Sequence, residues 1–315
     1  MKVYFDNAAS TKILPASAEK MVEVLTDYYA NPGASSVMGM EADNILKDSA
    51  KILARLINCT ENEIYFTSGG TEGDNWAIFG TAEGYIRSGK HMVTTAIEHP
   101  AVSKPFAALE EKGWEVTYLP VDEKGYVSTD DIKNAVREDT VLVSIILINN
   151  EIGTIQRAEE IGKAIKEKNK NTLFHIDAVQ AFGKYKIDVK KFKCDMLSAS
   201  AHKFNGPKGV GLFYMKKGLK VKPLLLGGGQ QSGQRPGTEN AAGAAAMAVA
   251  AQDAYKNLEE SNKKIYDLKK HLAERILREV SDSFLNGESV EEASPYVLNI
   301  GFKNIRTSLL MFLKP

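Results

Sequence analysis

The spacing of apolar and polar positions changes repeatedly along the chain, and each change predicts a new element. Residues 15–29 and 41–57 repeat apolar side chains three and four apart, which gives each stretch one apolar helical face. Short apolar runs at 64–66, 91–97, 116–119, 141–148, 172–177 and 210–214 read as strands. The run 141–148 is almost continuously apolar, as expected of a parallel strand covered on both faces. Helical spacing returns at 158–168, in an alanine-rich stretch from residue 241, and in a charged stretch ending near 280. Strands alternating with helices predict an α/β fold. Its sheet should be doubly wound and mostly parallel, with the functional site at the strand carboxyl ends. Residues 4–11 predict a short strand breaking into small residues, 31–36 a loop with strong turn chemistry, and 296–302 a strand of a smaller unit.

Candidate chemistry sits where strands stop. The segment SASAHKFNGPKG, residues 198–209, carries Lys203 between an apolar-leaning segment and a Gly-Pro turn. A lysine crowded by small residues can be desolvated, so that its neutral amine condenses with an aldehyde, of which pyridoxal phosphate (PLP) is the usual one. Alone, such a segment reads as an ordinary surface lysine. Upstream, the strand ending in HIDAVQ, residues 175–180, delivers Asp177, whose carboxylate could pair with a pyridinium nitrogen. Alone, Asp177 reads as a turn residue or helix cap; the pair is far more specific. TSGGTEGDN, residues 67–75, places glycines between a strand and a helix, which lets backbone N–H groups approach a phosphate. The glycine-rich stretch 227–240 has neither Walker A nor dinucleotide spacing.

Composition narrows the classes. A chain of 315 residues with 43% hydrophobic and 25% charged residues can bury a large core and fits a soluble globular protein of one larger and one smaller domain. Forty basic residues offset 40 acidic ones without a basic block, so neither nucleic acid nor an anionic membrane is an expected partner. The N-terminus shows no signal-peptide pattern and no run is long enough to span a bilayer, so a cytoplasmic location is expected. Cys59 and Cys194 suit a reducing compartment and have no metal-ligand spacing, so no metal site is expected.

Six segments in order, TSGGTEGDN, IEHPAV, NNEIGTIQ, HIDAVQ, SASAHKFNGPKG and RPGTEN, closely resemble the NifS/IscS-type cysteine desulfurases, class-V members of the fold-type I PLP enzymes. The resemblance runs from Phe5 to about Leu310. It implies a large PLP-binding domain over residues 14–255 and a small domain from residues 1–13 and 256–315. It also implies roles. Lys203 would hold the cofactor and move the substrate α-proton, Asp177 would face the pyridine nitrogen, and His99 would stack on the ring and shuttle protons. Gly70, Thr71, Ser200 and His202 would contact the phosphate. Gln180 would bond the phenolic oxygen, and Asn150 would lie near that oxygen and the substrate carboxylate. Thr238 would donate to the phosphate held by the partner subunit of a homodimer. The implied reaction converts L-cysteine to L-alanine and passes sulfur, as an enzyme persulfide, to iron–sulfur scaffolds or thiolation enzymes.

The sequence departs from the family at its end. Family members continue through a loop bearing the catalytic cysteine and then an arginine that holds the substrate carboxylate, and this chain stops at Pro315 before both. Apolar surface near Val297, Ile300, Leu309 and Leu310 is therefore expected to be exposed or covered by something else. Cys59 and Cys194 read as structural residues rather than substitutes. Besides a desulfurase, the sequence admits a truncated, desulfurase-inactive PLP-binding homologue or dimerisation partner, and, more distantly, a selenocysteine lyase or class-V aminotransferase.

Overall fold

The computed structural model describes residues 3–304. One sheet contains β1 (Ile64–Thr67), β2 (His91–Thr95), β3 (Glu115–Leu119), β4 (Thr140–Ile146), β5 (Leu173–Asp177), β6 (Met196–Ser200) and β7 (Gly211–Met215). Their spatial order is β1-β7-β6-β5-β4-β2-β3. Neighbours from β6 to β3 are parallel, and β7 runs antiparallel to both β6 and β1. The doubly wound, mostly parallel sheet is the one the alternating pattern predicts.

Helices cover both faces. On one, α3 (Gly70–Gly84) and α4 (Pro100–Glu110) bury Trp76, Ile78 and Phe106 against Met92, Leu142 and Phe213. On the other, α2 (Val37–Leu56), α5 (Thr129–Ala135), α6 (Ala158–Lys168) and α7 (Ala241–Lys256) bury Leu53, Ile132, Ile165 and a run of alanines against Val143, Phe174 and Leu197. Each large side chain so buried contributes roughly 2 kcal/mol. This packing fixes the strand ends more firmly than helix propensity could. The α1 helix (Pro15–Asp27) lies on α7, where the Ser17 hydroxyl donates to the Ala246 carbonyl at 2.7 Å.

Strand register selects which side chains meet beneath α3. Ser144 pairs with His175, and Ile146 with Asp177, which pairs in turn with Ser198. Side chains alternate across a strand. Ser144, His175, Asp177, Ser198 and Ser200 therefore share the α3 face, where they make a polar row inside an otherwise apolar layer. At the same end of the sheet Gly211, paired with Ser200, also meets Gly69: a Cβ on Gly211 would lie 2.6 Å from Gly69 Cα.

Three local expectations change. Residues 4–11 form no strand, because the Ala9 and Ser10 amides both fold back to the Asp6 carbonyl and Thr11 bonds instead to His202. The second helix begins at Val37 rather than residue 41, capped by Ser36, whose hydroxyl accepts from the Gly39 amide at 3.1 Å. In the expected strand 296–302, pairing is confined to β9 (Ile300–Phe302), opposite β8 (Ser283–Leu285). Of the two expectations for the surface at Val297, exposed or otherwise covered, the second holds: it is buried against Gly153. Ile300 is half-buried, and Leu309 and Leu310 lie outside the described residues. The long α8 (Leu258–Glu279) leaves Leu268, Leu272 and Leu277 exposed. Among the described residues, no helix is long and apolar enough to cross a membrane and no cluster of three or more metal-ligating side chains occurs.

Candidate active site

The carboxyl ends of β4, β5 and β6 and the first turn of α3 enclose a cavity of about 460 Å³. Lys203 reaches it from residues 201–210, which connect β6 to β7. Its Nζ donates to the carbonyls of Ala8 at 2.6 Å and Ala9 at 2.9 Å. Those carbonyls are held in place because the Thr11 amide bonds to the His202 carbonyl at 2.9 Å and the Asn205 amide to the Thr11 hydroxyl at 2.7 Å. Burial lowers the Lys203 pKa from its ordinary value, while Asp177 and Asp6 pull it back up. The amine is thus primed to lose its proton without being isolated from carboxylates.

Asp177 ends β5, buried, with Oδ1 accepting from the Val179 amide at 2.9 Å. Burial raises its pKa, against the lowering influence of His99 and Lys203. Asp74, one turn into α3, stands behind it. Its Oδ1 lies 3.6 Å from His175 Nε2 and has no hydrogen-bond partner among the described residues. Burial first, and then Asp177, push the Asp74 carboxyl far up. His175 is spanned by the hydroxyls of Ser144 at 2.8 Å and Ser198 at 3.0 Å, and burial drops its pKa to about 3. His175 is therefore neutral, and its contact with Asp74 is not an ion pair. Glu98 completes the group: it accepts from Thr95 at 2.6 Å and the Ile146 amide at 3.0 Å, leaves Oε2 unpartnered, and is pushed up to about 8 by burial.

Nine of the ten residues singled out from sequence line the cavity: Gly70, Thr71, His99, Asn150, Asp177, Gln180, Ser200, His202 and Lys203. His99 also caps α4, its Nδ1 accepting from the Ala101 amide at 3.1 Å, so its neutral form carries the proton on Nε2. Burial, and then the lysines 203, 208 and 184, lower His202, which is neutral beside the Ser10 hydroxyl at 3.3 Å. Gln180 is engaged at both ends: Nε2 donates to Ala8 at 2.8 Å and Oε1 accepts from Lys184 at 3.2 Å. Thr238 does not join the cavity; it is exposed on the glycine-rich loop. That loop is tied to α3 by Arg235 and Glu72 at 2.8 Å, and to β1 by Gln231, which bonds both the amide and the carbonyl of Phe66.

Sequence reasoning missed Asp74, Glu98, His175 and Lys184. The signal for one of them was present: His175 shares strand parity with Asp177. Asp74 and Lys184 needed the fold, because helix and turn positions do not reveal which face meets a cavity. Neither cysteine lines the site. Burial raises Cys59 to about 12 and holds Cys194 far above the ordinary thiol range, as expected of structural residues. A larger open cleft of about 830 Å³ lies at the opposite strand ends. There the buried Asp195 carboxylate is satisfied by Lys166, by Lys216 and by the Phe174 amide.

The site fits PLP. Three carboxyls, at 74, 98 and 177, crowd one end, which an incoming protonated ring nitrogen would relieve. At the other end the first turn of α3 presents free amides, and a Cβ on Gly70 would lie 2.3 Å from Val179 Cγ2. Only glycine lets that turn sit so close to the cavity floor. The fold and this pairing of lysine and aspartate define a fold-type I PLP enzyme.

Sequence comparison places it more finely. The aminotransferase class-V family matches residues 3–313, and the chain belongs to that family, among relatives that are cysteine desulfurases of the IscS/NifS kind. It is 44% identical over 311 residues to cysteine desulfurase IscS of Methanosarcina thermophila, covering 99% of this chain and 76% of the relative. It is 42% identical to cysteine desulfurase IscS of Clostridium botulinum, covering 98% of this chain and 78% of the relative. Among solved structures, a NifS-like protein superimposes with a TM-score of 0.95 at 39% identity, covering 98% of this chain and 84% of that one. A structure described as SspA in complex with cysteine gives 0.86 at 34% identity, covering 96% and 84%.

Proposed function

We propose that this chain is a PLP-dependent cysteine desulfurase that converts L-cysteine to L-alanine and hands on the sulfur as a persulfide. The observation that carries this reading is the convergence of Lys203 and Asp177, from the ends of neighbouring strands, on the glycine-begun helix α3. When bound, PLP supplies an electron sink beside the substrate α-carbon. The chain supplies the rest. The α3 amides at Gly70 and Thr71, with Ser200 and His202, would hold the phosphate. Asp177 would hold positive charge at the ring nitrogen, and Asn150 would lie near the phenolic oxygen and the substrate carboxylate. Lys203, its pKa lowered by burial, accepts the α-proton, and His99 offers its Nε2 proton to the leaving side of the substrate.

Sulfur acceptance requires a thiol, and among the described residues none faces the cavity. That observation favours a second reading, in which the chain binds PLP and L-cysteine but relies on another thiol, its partner's included. Pairing as a homodimer is supported by Leu226, which is 92% exposed, and by the nearly bare Tyr29 and Phe5. In such a dimer Thr238 would reach the neighbouring phosphate. Delivery of sulfur to iron–sulfur scaffolds or thiolation enzymes in the cytoplasm completes the proposal, in keeping with two unpaired cysteines.

The test is a visible spectrum of the purified chain with PLP, then L-cysteine, with assays for alanine and sulfide. A band that disappears in Lys203→Ala, together with catalytic alanine and sulfide, is expected of the desulfurase. A band perturbed by L-cysteine without sulfide selects the second reading. Absence of any Lys203-dependent band removes both.

A further inference from the structure

Lys184 is nearly as buried as the core around it, yet among the described residues it touches no carboxylate. It follows Gly183, whose φ of +76° turns the chain inward; a Cβ there would lie 2.7 Å from Phe204 Cβ. The Lys184 carbonyl accepts from Asn262 of α8 at 3.1 Å. Its Nζ lies 5.2 Å from the centre of the Tyr296 ring and donates to Gln180 Oε1 at 3.2 Å. From α7 the nearby phenol is Tyr255, packed edge-on against Phe182, and across the cavity the facing charge is Lys203. A lysine buried without an acidic partner costs stability. Its single side-chain hydrogen bond is therefore informative.

That bond goes to one end of an amide. The side-chain amide of Gln180 has a donor end and an acceptor end that differ little in shape, so packing alone does not choose between them. The carbonyl of Ala8 favours the donor end, but it also accepts from Lys203 Nζ and sits on a segment outside regular secondary structure. Lys184, anchored in the core, claims Oε1 from behind. We propose that Lys184 is a positioning residue that locks the Gln180 amide with Nε2 toward the cavity, so that Gln180 meets the cofactor as a hydrogen-bond donor. The inference rests on the PLP reading above. Through Tyr296 and Asn262 it also ties the orientation of a cofactor-facing amide to the placement of the C-terminal elements.

The experiment compares wild type, Lys184→Met, Gln180→Ala and the double variant, each titrated with PLP. Three quantities are read: the dissociation constant of PLP, the pH midpoint of its visible band, and the melting temperature of the chain without PLP. An amide that can rotate loses a donor to the cofactor's phenolic oxygen. Lys184→Met should therefore weaken PLP on the order of tenfold and raise the band's midpoint by about one pH unit. Gln180→Ala should do the same, and the double variant no more than either, since both remove one interaction. Overturning results are a Lys184→Met chain whose melting temperature changes while affinity and midpoint stay at wild type, or additive effects in the double variant. Where Lys184→Met fails to fold, Lys184→Gln replaces it: an amide there serves either end of Gln180, so a smaller shift of the same sign is expected and none overturns the proposal. A wild-type chain that shows no band overturns the cofactor reading itself, whereas a normal band unaffected at residue 184 overturns this inference alone.

Discussion

Gly70 and Val179 are packed so closely that a Cβ on the glycine would lie 2.3 Å from Val179 Cγ2. One belongs to the first turn of α3 and the other follows Asp177 by two residues. The contact therefore sets the spacing between the α3 amides proposed to meet a phosphate and the carboxylate proposed to meet a ring nitrogen.

Gly70→Ala should push these two groups apart. The expected cost is about 1–3 kcal/mol of stability, with weaker PLP binding. Val179→Ala in the same chain makes room and should recover most of both losses. Thermal melts and PLP titrations of the single and double variants decide it; a double variant no better than Gly70→Ala would show that the glycine is needed for some other reason.

Asp177→Asn isolates charge from shape. The asparagine oxygen can still accept from the Val179 amide, now bonded at 2.9 Å, so the fold should persist and PLP should still attach to Lys203. Turnover should fall by on the order of 10² or more, because the ring nitrogen loses its counter-charge. Alanine release measured alongside the visible band checks this, and a fully active Asn variant would remove Asp177 from the mechanism.

Glu98 gives a pH signature to the chain without cofactor. Burial holds its pKa at about 8, against 4.5 ordinarily, so the folded chain keeps a proton that the unfolded chain would lose. Its contribution to stability is fully present below 4.5 and is lost as pH rises through 8. Glu98→Gln, neutral throughout, should leave stability at acidic pH near wild type and raise it above pH 8. Lys184 runs the other way. Held near 7 by burial against 10.5, its contribution is present above 10.5 and lost as pH falls through 7. Melting temperatures from about pH 5 to about pH 9, with and without each substitution, separate the two.

Leu226→Glu places a charge on the most exposed large apolar side chain described. In the homodimer proposed above, sedimentation should change from dimer to monomer. PLP affinity should fall with it, because Thr238 would no longer reach a neighbouring phosphate. A monomeric variant with unchanged affinity would leave Thr238 without that role.

Much of this was legible beforehand because the sheet writes its order in hydrophobic periods. The apolar run 141–148 predicted a buried parallel strand, and the observed β4 is buried along its length. Lys203, Asp177 and Gly70 could be found because each lies at or just after the end of a predicted strand, where ligand sites of such sheets gather. What stayed hidden depends on contacts distant in sequence. Residues 4–11 looked like a strand by composition, but their backbone hydrogen bonds go to Asp6 and to the loop bearing Lys203. Lys184 looked like any lysine, since neither the turn at Gly183 nor the covering Tyr296 leaves a periodic trace.

The reversed strand β7 has a consequence for how this chain tolerates change. The segment 201–210 that carries Lys203 is bound on both sides by paired strands, Ser200 opposite Gly211 through Met196 opposite Met215. It is also stitched across by the Ala201 amide bonding to the Val210 carbonyl at 3.1 Å. Its first half behaves as a clasp of fixed length. A residue inserted between Ala201 and Gly206 has nowhere to bulge, since the Gly206 amide closes on the Ala201 carbonyl at 2.9 Å and a Cβ on Gly206 would lie 2.7 Å from Ala201 Cβ. An insertion at the outward turn around Gly113, where nothing lies near a Cβ, would be absorbed by solvent. Lineages descended from this fold should therefore vary freely in length at such outer turns while the span from Ser200 to Gly206 keeps its residue count.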